Sequence, residues 1–408
     1  MTALIGTDGP IGIRAESRGT NQIGVRAYNE RLVLSLIRRH GQIAKAEIAR
    51  LTGLSAQTVS VIVKQLEADG LLKREKKVRG RIGQPSIPFS LDPDGAFGIG
   101  LKIGRRSADV VLLDFVGEVR ASRRLTYRFP TPAALEAFVT ESVAALLDSL
   151  PPESRARVGG IGIAQPFEIW SWAEETGAPA AELDAWRAAD LSATLAAGFD
   201  VSVYACNDIT AACGAELVFG DGAKYQDYLY LYVGAFIGGG VVLGGALFPG
   251  RTGNAGALGS LLVPDGKGGA VQLIRRASLY LLEAALGDAG ADPDGLWRST
   301  EVWQGPRPVI DAWLESTAEA LAIAIVSASA VIDFEAAIID GAMPETERQR
   351  LVEAVGRALA KLDRQGLGPL ALAEGSLGSF ARAMGGAALP LLAKFTADRE
   401  VLFKDPST

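Results

Sequence analysis

The chain has 408 residues, of which 48% are hydrophobic and 22% charged, as in an ordinary globular protein. This length predicts two or three domains, and no apolar run approaches the roughly 18 residues of a membrane-spanning helix. Residues 1–22 lack the apolar core of a signal peptide, which predicts a cytoplasmic protein. One histidine and two cysteines leave little for a thiolate metal site, a disulfide framework or a catalytic triad. We therefore expect no metal and no cofactor.

Charge is distributed unevenly along the chain. Residues 1–90 contain 15 Lys and Arg against 7 Asp and Glu, whereas the remainder contains 26 basic and 40 acidic residues. A basic module joined to an acidic body predicts that the first part meets a polyanion and the second does not.

The first 92 residues predict a flexible arm (1–25) followed by a winged helix-turn-helix domain (26–92). Asn29 is the expected cap of a first helix that Gly41 ends, and a second helix is expected over about 44–51. Ser55 is placed to cap a third helix. That helix carries a helical stripe of apolar residues for the core, namely Val59, Ile62, Val63 and Leu66.

Small and hydrogen-bonding side chains lie opposite this stripe, where they suit a DNA major groove. A strand over 71–75, a basic tip over 76–81 and a returning strand over 87–91 predict a wing that contacts phosphates. The predicted DNA-binding residues are Ser55, Ala56, Gln57, Thr58, Ser60, Lys64, Arg79 and Arg81. The alternative is a structural three-helix cap with solvated basic residues.

From residue 93 to residue 408 the pattern alternates strands and helices. A series of strands and helices begins at 98–103, and a second series begins at 228–233. Two such series predict an α/β body of two lobes with a cleft between them. Many of the 48 glycines lie at strand ends, which fits either backbones that close around a ligand or strand turns.

Taken in order, several segments of the chain resemble the ROK family of repressors and sugar kinases, specifically its transcriptional-regulator branch. The resemblance covers roughly 29–400 and is carried by residues 51–60, 80–85, Asn207-Asp208, 234–243, 253–260, 375–378 and 385–388. It implies an actin-like, sugar-kinase-type body of two lobes behind the winged helix.

The resemblance places Asp208 where the family's kinases have the carboxylate that deprotonates a sugar hydroxyl, with Asn207 beside it contacting the sugar. The alternative for both residues is a helix cap, since a helix is predicted from Thr210.

Two departures from the family pattern predict that kinase activity and zinc are both lost. The kinases open the body with Asp and then Gly-Gly-Thr, where this chain has Lys102-Ile-Gly-Arg-Arg-Ser107. Lys102, Arg105 and Arg106 instead hold an anion or an interdomain carboxylate, or belong to a solvated strand end. The second departure is Ala257-Leu-Gly-Ser260 in place of Glu-x-Gly-His, with no Cys or His following it.

The remaining polar residues near the cleft form the predicted ligand site, with ordinary loop residues as the alternative. Trp170 and Trp172 either stack on a ligand or pack in the core. The predicted ligand-binding residues are Gln165, Glu168, Asn207, Asp208, Gly234, Asn254 and Ser260.

The sequence as a whole predicts a DNA-binding regulator, a repressor of carbohydrate uptake or catabolism genes. Its partners are a double-stranded operator, a small-molecule effector that is a carbohydrate, and a second copy of itself, as a homodimer or homotetramer. One alternative is a sugar kinase with an attached DNA-binding module. The other is a regulator that binds no small molecule and presents a protein-docking surface.

Overall fold

The computed structural model describes residues 22–77, 87–166, 169–171, 178–298 and 300–396. Its first elements are α1 (Gln22–His40), β1 (Gln42–Ala44), α2 (Lys45–Thr52), α3 (Ala56–Ala68), β2 (Leu72–Arg74) and β3 (Pro88–Leu91). The three strands form an antiparallel sheet in the order β1-β3-β2. Three helices with a hairpin after the third confirm the predicted winged helix-turn-helix.

The first helix begins earlier than expected. It starts at Gln22, so the prediction that Asn29 caps it is wrong, and residues 22–25 of the expected arm are helical. Arg26 Nε and Glu30 Oε1 lie 2.9 Å apart one turn away from each other, a pairing that supports these added turns. The rest of the predicted arm, residues 1–21, lies outside the described residues.

The first lobe is built on a mixed sheet of five strands. β4 (Phe97–Ile103), β5 (Ser107–Asp114) and β6 (Val119–Thr126) form an antiparallel meander. β7 (Val158–Ala164) and β8 (Val203–Cys206) continue it in parallel on the other side of β4, giving the order β6-β5-β4-β7-β8. Its helices are α4 (Pro132–Asp148), α5 (Pro152–Arg155), α6 (Ala180–Asp184) and α7 (Leu191–Phe199).

After α8 (Asp208–Phe219), the second lobe repeats this plan. Its sheet has the order β11-β10-β9-β14-β15. The strands are β9 (Tyr228–Val233), β10 (Ile237–Leu243), β11 (Ala246–Leu247), the hairpin β12 (Leu262–Pro264) and β13 (Ala270–Gln272), β14 (Ala336–Gly341) and β15 (Ala371–Glu374). The helices are α9 (Leu279–Asp288), α10 (Gly295–Arg298), α11 (Arg307–Ser329), α12 (Glu345–Leu359) and, last, α13 (Ala381–Phe395).

The two large sheets therefore have the same strand order, which confirms the predicted two-lobed α/β body. β9 and β14 are buried along their whole length, because helices cover both faces of the sheet. None of the helices in the described ranges combines the length and apolar character that a membrane crossing requires.

A pair of helices, α8 and α13, lies between the two sheets. α13 packs on β4 and β7 of the first sheet, α8 packs on β10 of the second, and the two helices pack on each other. Glycines allow these approaches: a Cβ added at Gly162 would lie 1.9 Å from the Gly386 carbonyl oxygen, and one at Gly385 would lie 2.2 Å from that of Ala211. The C-terminal helix thus belongs structurally to the first lobe.

The winged helix and the body share one apolar core. Buried residues of α1, α3 and β3 are continuous with buried residues of β5 and α13. The body's contribution is Val111, Leu113, Phe115, Met384, Ala387 and Leu391. Because this core is continuous, the DNA-binding domain is seated on the body rather than tethered to it.

Candidate functional site

The third helix presents the surface that the sequence predicts for DNA. Gly53 has φ 71°, a left-handed conformation suited to the turn before the helix. Ser55 caps α3, since its Oγ accepts a hydrogen bond from the Thr58 backbone N–H at 3.0 Å. The predicted core stripe Val59, Ile62, Val63 and Leu66 is buried.

The opposite face of α3 is open to solvent. Gln57, Ser60 and Lys64 are exposed, as is Ala56 at the start of the helix. Val61, on the same face, is 61% exposed and adds an apolar group of the kind that meets a thymine methyl. Ser55 and Thr58 differ from the rest, because their hydroxyls bond to each other at 2.8 Å as part of the cap.

The base of the predicted wing is cationic and exposed. Lys73, Lys76 and Lys77 are exposed, while Arg74 is engaged by Glu67, with Arg74 Nη2 2.9 Å from Glu67 Oε2. Arg79 and Arg81, the two predicted phosphate contacts, lie outside the described residues. Their role stays a prediction from the sequence.

A cavity of about 240 Å³ opens between the two lobes. Four of the predicted ligand residues line it together: Asn207, Asp208, Asn254 and Ser260. They come from separate segments, the junction of β8 with α8 and the loop that precedes β12. Ala257 also lines the cavity, so both departures from Glu-x-Gly-His face the same space.

At the junction of β8 and α8, Asn207 and Asp208 both line the cavity and make different contacts within the protein. Asn207 is a helix cap, because its Oδ1 accepts hydrogen bonds from the backbone N–H groups of Ile209 at 3.0 Å and Thr210 at 3.3 Å. Asp208 is the first residue of α8 and is buried. Its Oδ2 accepts a hydrogen bond from Arg382 Nη1 at 3.1 Å, and the Arg382 guanidinium lies 5.0 Å from the Tyr232 ring centroid.

Arg382 is the cavity residue that the sequence reasoning missed. It stands in the first turn of α13, between the buried Ala381 and Ala383. A single guanidinium within a stretch of small buried residues is the signal that marks it in the sequence.

The turn between β4 and β5 carries the basic residues that replace the kinase pattern. Lys102 is buried, and its Nζ donates to Asp109 Oδ2 at 3.2 Å and to Ser107 Oγ at 3.0 Å. Burial lowers the pKa of Lys102 to about 8, and the neighbouring Arg382 charge acts in the same direction. The alternative of a solvated strand end is therefore wrong for Lys102.

Arg105 and Arg106 hold a carboxylate of the other lobe. Arg105 Nη1 lies 2.5 Å from Oε2 of Glu283, a residue of α9, and Arg106 Nη2 bonds to the other oxygen of the same carboxylate. The interdomain carboxylate foreseen as one alternative is thus present. Arg105 also lines the cavity.

The other predicted ligand residues lie elsewhere. Gln165 lines a smaller neighbouring cavity of about 40 Å³ together with Trp170, which stacks under Arg187 with its ring centroid 5.0 Å from the guanidinium. Gly234 follows β9 and lies beside the lining residue Ala235. Glu168 and Trp172 lie outside the described residues. The structure therefore brings together four of the seven predicted residues.

Sequence comparison identifies two known modules in the chain. Residues 98–278 match the model of the ROK family, and residues 27–81 match that of the MarR family. The chain carries a ROK family domain behind a MarR-type winged helix.

Two curated proteins are similar to this chain in sequence. It is 27% identical over 378 residues to the uncharacterized protein y4fQ of Sinorhizobium fredii (strain NBRC 101917 / NGR234), covering 90% of this chain and 92% of y4fQ. It is 26% identical over 253 residues to the DNA-binding transcriptional dual regulator NagC of Escherichia coli (strain K12), with 60% of this chain and 61% of NagC aligned.

A solved structure supports the fold over nearly the whole length. A ROK family transcriptional regulator, a homologue of the E. coli MLC protein, superposes with a TM-score of 0.64 at 20% identity. The match covers 91% of this chain and 97% of that structure.

Within the described ranges, no three His, Cys, Asp or Glu side chains come together in a way that could hold a metal ion. Cys206 and Cys213 are not in a disulfide, and burial raises the pKa of the Cys206 thiol to about 12. These thiols pack rather than react.

Proposed function

We propose that the chain is a transcriptional repressor of carbohydrate uptake or catabolism genes whose DNA affinity is set by a small molecule in the interlobe cavity. The observation that carries this proposal is the helix pair α8 and α13. Both helices begin at the cavity and end where the winged helix packs against the body. A displacement of either helix at the cavity therefore also moves the surface that the winged helix contacts.

An ion pair joins the two helices at the ends that face the cavity. Asp208 is the first residue of α8 and Arg382 is the second residue of α13, and they form the ion pair that lines the cavity. The helices have 12 and 15 residues, which corresponds to lengths of about 18 and 22 Å.

The far ends of both helices meet the winged helix at Arg38 of α1. Its guanidinium lies 5.3 Å from the ring centroid of Phe219, the last residue of α8, and 4.9 Å from that of Phe115. Phe395, the last residue of α13, packs edge-on against Phe115 at 4.9 Å between centroids. Arg38 Nη1 also donates to the Phe115 carbonyl oxygen at 2.6 Å.

Arg38 is partly buried at this junction. Burial lowers its pKa to about 10, and the charge of Asp114 opposes that shift. A guanidinium that bonds to the body's backbone and stacks on two of its rings is a stiff connection. A displacement of α8 or α13 is therefore transmitted to α1 rather than absorbed by a linker.

We further propose that the body is not an enzyme. Asp208, the residue matched to the kinase base, has one carboxylate oxygen engaged by Arg382. The turn that should hold phosphate instead holds Glu283 through Arg105 and Arg106. Both guanidinium groups of this turn are thus occupied by a protein carboxylate, and the Asp and Gly-Gly-Thr of the kinase pattern are absent, although phosphoryl transfer depends on positioning and electrostatic stabilisation there.

The relatives support the regulatory assignment. NagC is a DNA-binding transcriptional dual regulator, and the superposed structure is a transcriptional regulator. We propose that this chain works as a homodimer or homotetramer, because two winged helices read two half-sites of a symmetric operator.

The test begins with the operator. Genomic fragments selected by the full-length protein give the operator sequence, and fluorescence anisotropy on that DNA then measures affinity as monosaccharides are added. An effector should change the affinity 5–150-fold, which corresponds to about 1–3 kcal/mol of coupling. Failure of the full-length protein to bind any duplex in low salt contradicts the proposal, and ATP turnover with a hexose supports the kinase instead.

A matched pair of phenylalanine variants tests the connection through α8. Phe219→Ala removes the ring under Arg38, so DNA binding should persist while the effector response falls by at least fivefold. Phe248→Ala removes a ring that is 45% exposed and away from the junction, and it should keep the full response. Equal responses in both variants contradict transmission through this helix.

A further inference from the structure

The interlobe cavity is cationic, although the body around it is acidic. Arg105 and Arg382 line it from two different segments, and their side chains are only 9% and 11% exposed. Asp208 is the acidic residue among its lining residues. Burying two guanidinium groups beside one small cavity costs free energy, because both charges lose contact with water. Where proteins place arginines in this way, the arginines recognise a carboxylate or a phosphate.

Ion pairs in the described part of the chain join the charged side chains in and next to the cavity. Arg105 and Arg106 pair with Glu283, Lys102 pairs with Asp109, and Arg382 pairs with Asp208. Arg124 and Asp294 also pair with members of this group, but each is about half-exposed and contributes little. The buried Nε of Arg382 has no hydrogen-bond partner in the described part of the chain, which leaves a donor unused.

Glu283 shows what kind of group these arginines bind. Its carboxylate is shared between Arg105 and Arg106, one oxygen on each, and it is 9% exposed. A side-chain carboxylate from the second lobe therefore occupies a site that belongs to the first. It stands in chemically for an anionic group of a ligand.

We propose that the effector is a carboxylate-bearing sugar, a uronate or an aldonate, whose carboxylate displaces Glu283 from Arg105. This inference rests on the proposed function, since it specifies the ligand of the same cavity. The volume of about 240 Å³ suits a single sugar unit. Asn254, Ser260 and Gln272 line the cavity and supply neutral partners for the hydroxyl groups.

The exchange has a mechanical result. Arg105 and Arg106 lie on the turn between β4 and β5 in the first lobe, whereas Glu283 lies on α9 in the second. When the ligand carboxylate binds Arg105 in place of Glu283, the ion pairs between this turn and the second lobe are reduced to those of Arg106, one of which is with the half-exposed Asp294. The lobes are then free to take another arrangement, and α8 and α13 pass that change to the winged helix.

Titration calorimetry with the full-length protein tests the charge preference. The probes are glucose, galactose, glucuronate, galacturonate, gluconate and glucose 6-phosphate, which differ in charge on related frameworks. At least one carboxylate sugar should bind at least tenfold more tightly than its neutral parent. A neutral sugar that binds as tightly as its acid overturns the inference, and so does binding of the phosphate ester alone.

Variants with opposite expected effects separate recognition from misfolding. Arg105→Met should lower the affinity for the acid at least tenfold and remove its advantage over the neutral parent sugar. Glu283→Gln removes the carboxylate that competes with the ligand, so the affinity for the acid sugar should rise severalfold. A misfolded variant would not bind the acid more tightly. Arg123→Met removes an arginine of β6 that pairs at the surface with Glu141 of α4, and it should change neither affinity.

The result also distinguishes this inference from the proposed function. If sugars bind and alter DNA affinity without any preference for charge, the inference fails while the proposed function stands. If no sugar in the panel binds, yet the protein still binds its operator, both the inference and the sugar-effector part of the proposed function fail. If Glu283→Gln weakens the acid, displacement of Glu283 is refuted.

Discussion

The packing of α13 on the first sheet can be tested with a single added methyl group. A Cβ at Gly162 would lie 1.9 Å from the Gly386 carbonyl oxygen, whereas ordinary van der Waals contact begins at 3.4 Å. Gly162→Ala therefore forces α13 about 1.5 Å away from β7. A radial gap of about 0.5–1 Å already forfeits a quarter to a half of the dispersion attraction between the surfaces.

The expected cost of Gly162→Ala is about 3 kcal/mol, at the upper end of the range for overpacking, because both atoms in contact belong to backbone. For domains of this size, about 2–4 °C of Tm per kcal/mol translates this cost into a loss of about 6–12 °C. Thermal unfolding followed by circular dichroism measures the change.

Gly198→Ala is the matched control. Gly198 lies in α7, where an added Cβ meets nothing within 4 Å, so alanine should raise stability by up to about 1 kcal/mol through helix propensity. If Gly162→Ala unfolds within about 1 °C of the native sequence, the close approach of α13 to the sheet is refuted. If both variants lose stability equally, the loss has another origin than this contact.

Three further predictions concern the DNA-binding surface and the buried lysine. Gln57→Ala should relax preference at one base pair by about 1–3 kcal/mol, which binding to a set of single-base operator variants measures; uniform weakening across the set would contradict base readout. Arg79→Ala, a prediction from the sequence, should lower the affinity for all DNA sequences alike. It should also reduce the slope of log affinity against log salt concentration by about one, and an unchanged slope would contradict a phosphate contact. Lys102 has a pKa of about 8 in the folded chain against an ordinary 10.5. Between these values the unfolded chain keeps a proton that the folded chain has released, so the free energy of unfolding should rise with pH by up to about 3 kcal/mol. Denaturant titrations at pH 7 to 10 should show this increment in the native protein and not in Lys102→Met.

The recognition helix could be predicted because its signals are local. The Ser55 cap and the stripe from Val59 to Leu66 lie within a dozen residues, and the pattern alone decides which face is buried. The start of α1 was missed for a related reason. Asn29 is a favourable cap residue, yet its neighbours also suit a helix interior, and only packing of α1 against the body decides between the two.

The cavity could be predicted only in part, because its charge network joins distant segments. Asp208 and Arg382 are 174 positions apart, and Arg105 and Glu283 are 178 positions apart. For Arg105 the sequence leaves a carboxylate, another anion and a solvated strand end as alternatives, and no local pattern names Glu283 as the partner. Asn254 and Ser260 were found through the family resemblance, which supplies long-range order that periodicity does not contain.

The position of α13 has a consequence for synthesis on the ribosome. The winged helix emerges first and can form its own three-helix core, but the surface on which it sits is completed by residues 381–395. Until those residues leave the exit tunnel, the winged helix lacks part of the surface against which it packs. One apolar face of the first sheet is also uncovered at that stage. A message truncated shortly before that point would therefore yield a protein that retains the DNA-binding helix and most of the cavity lining but lacks the connection that α13 provides between them.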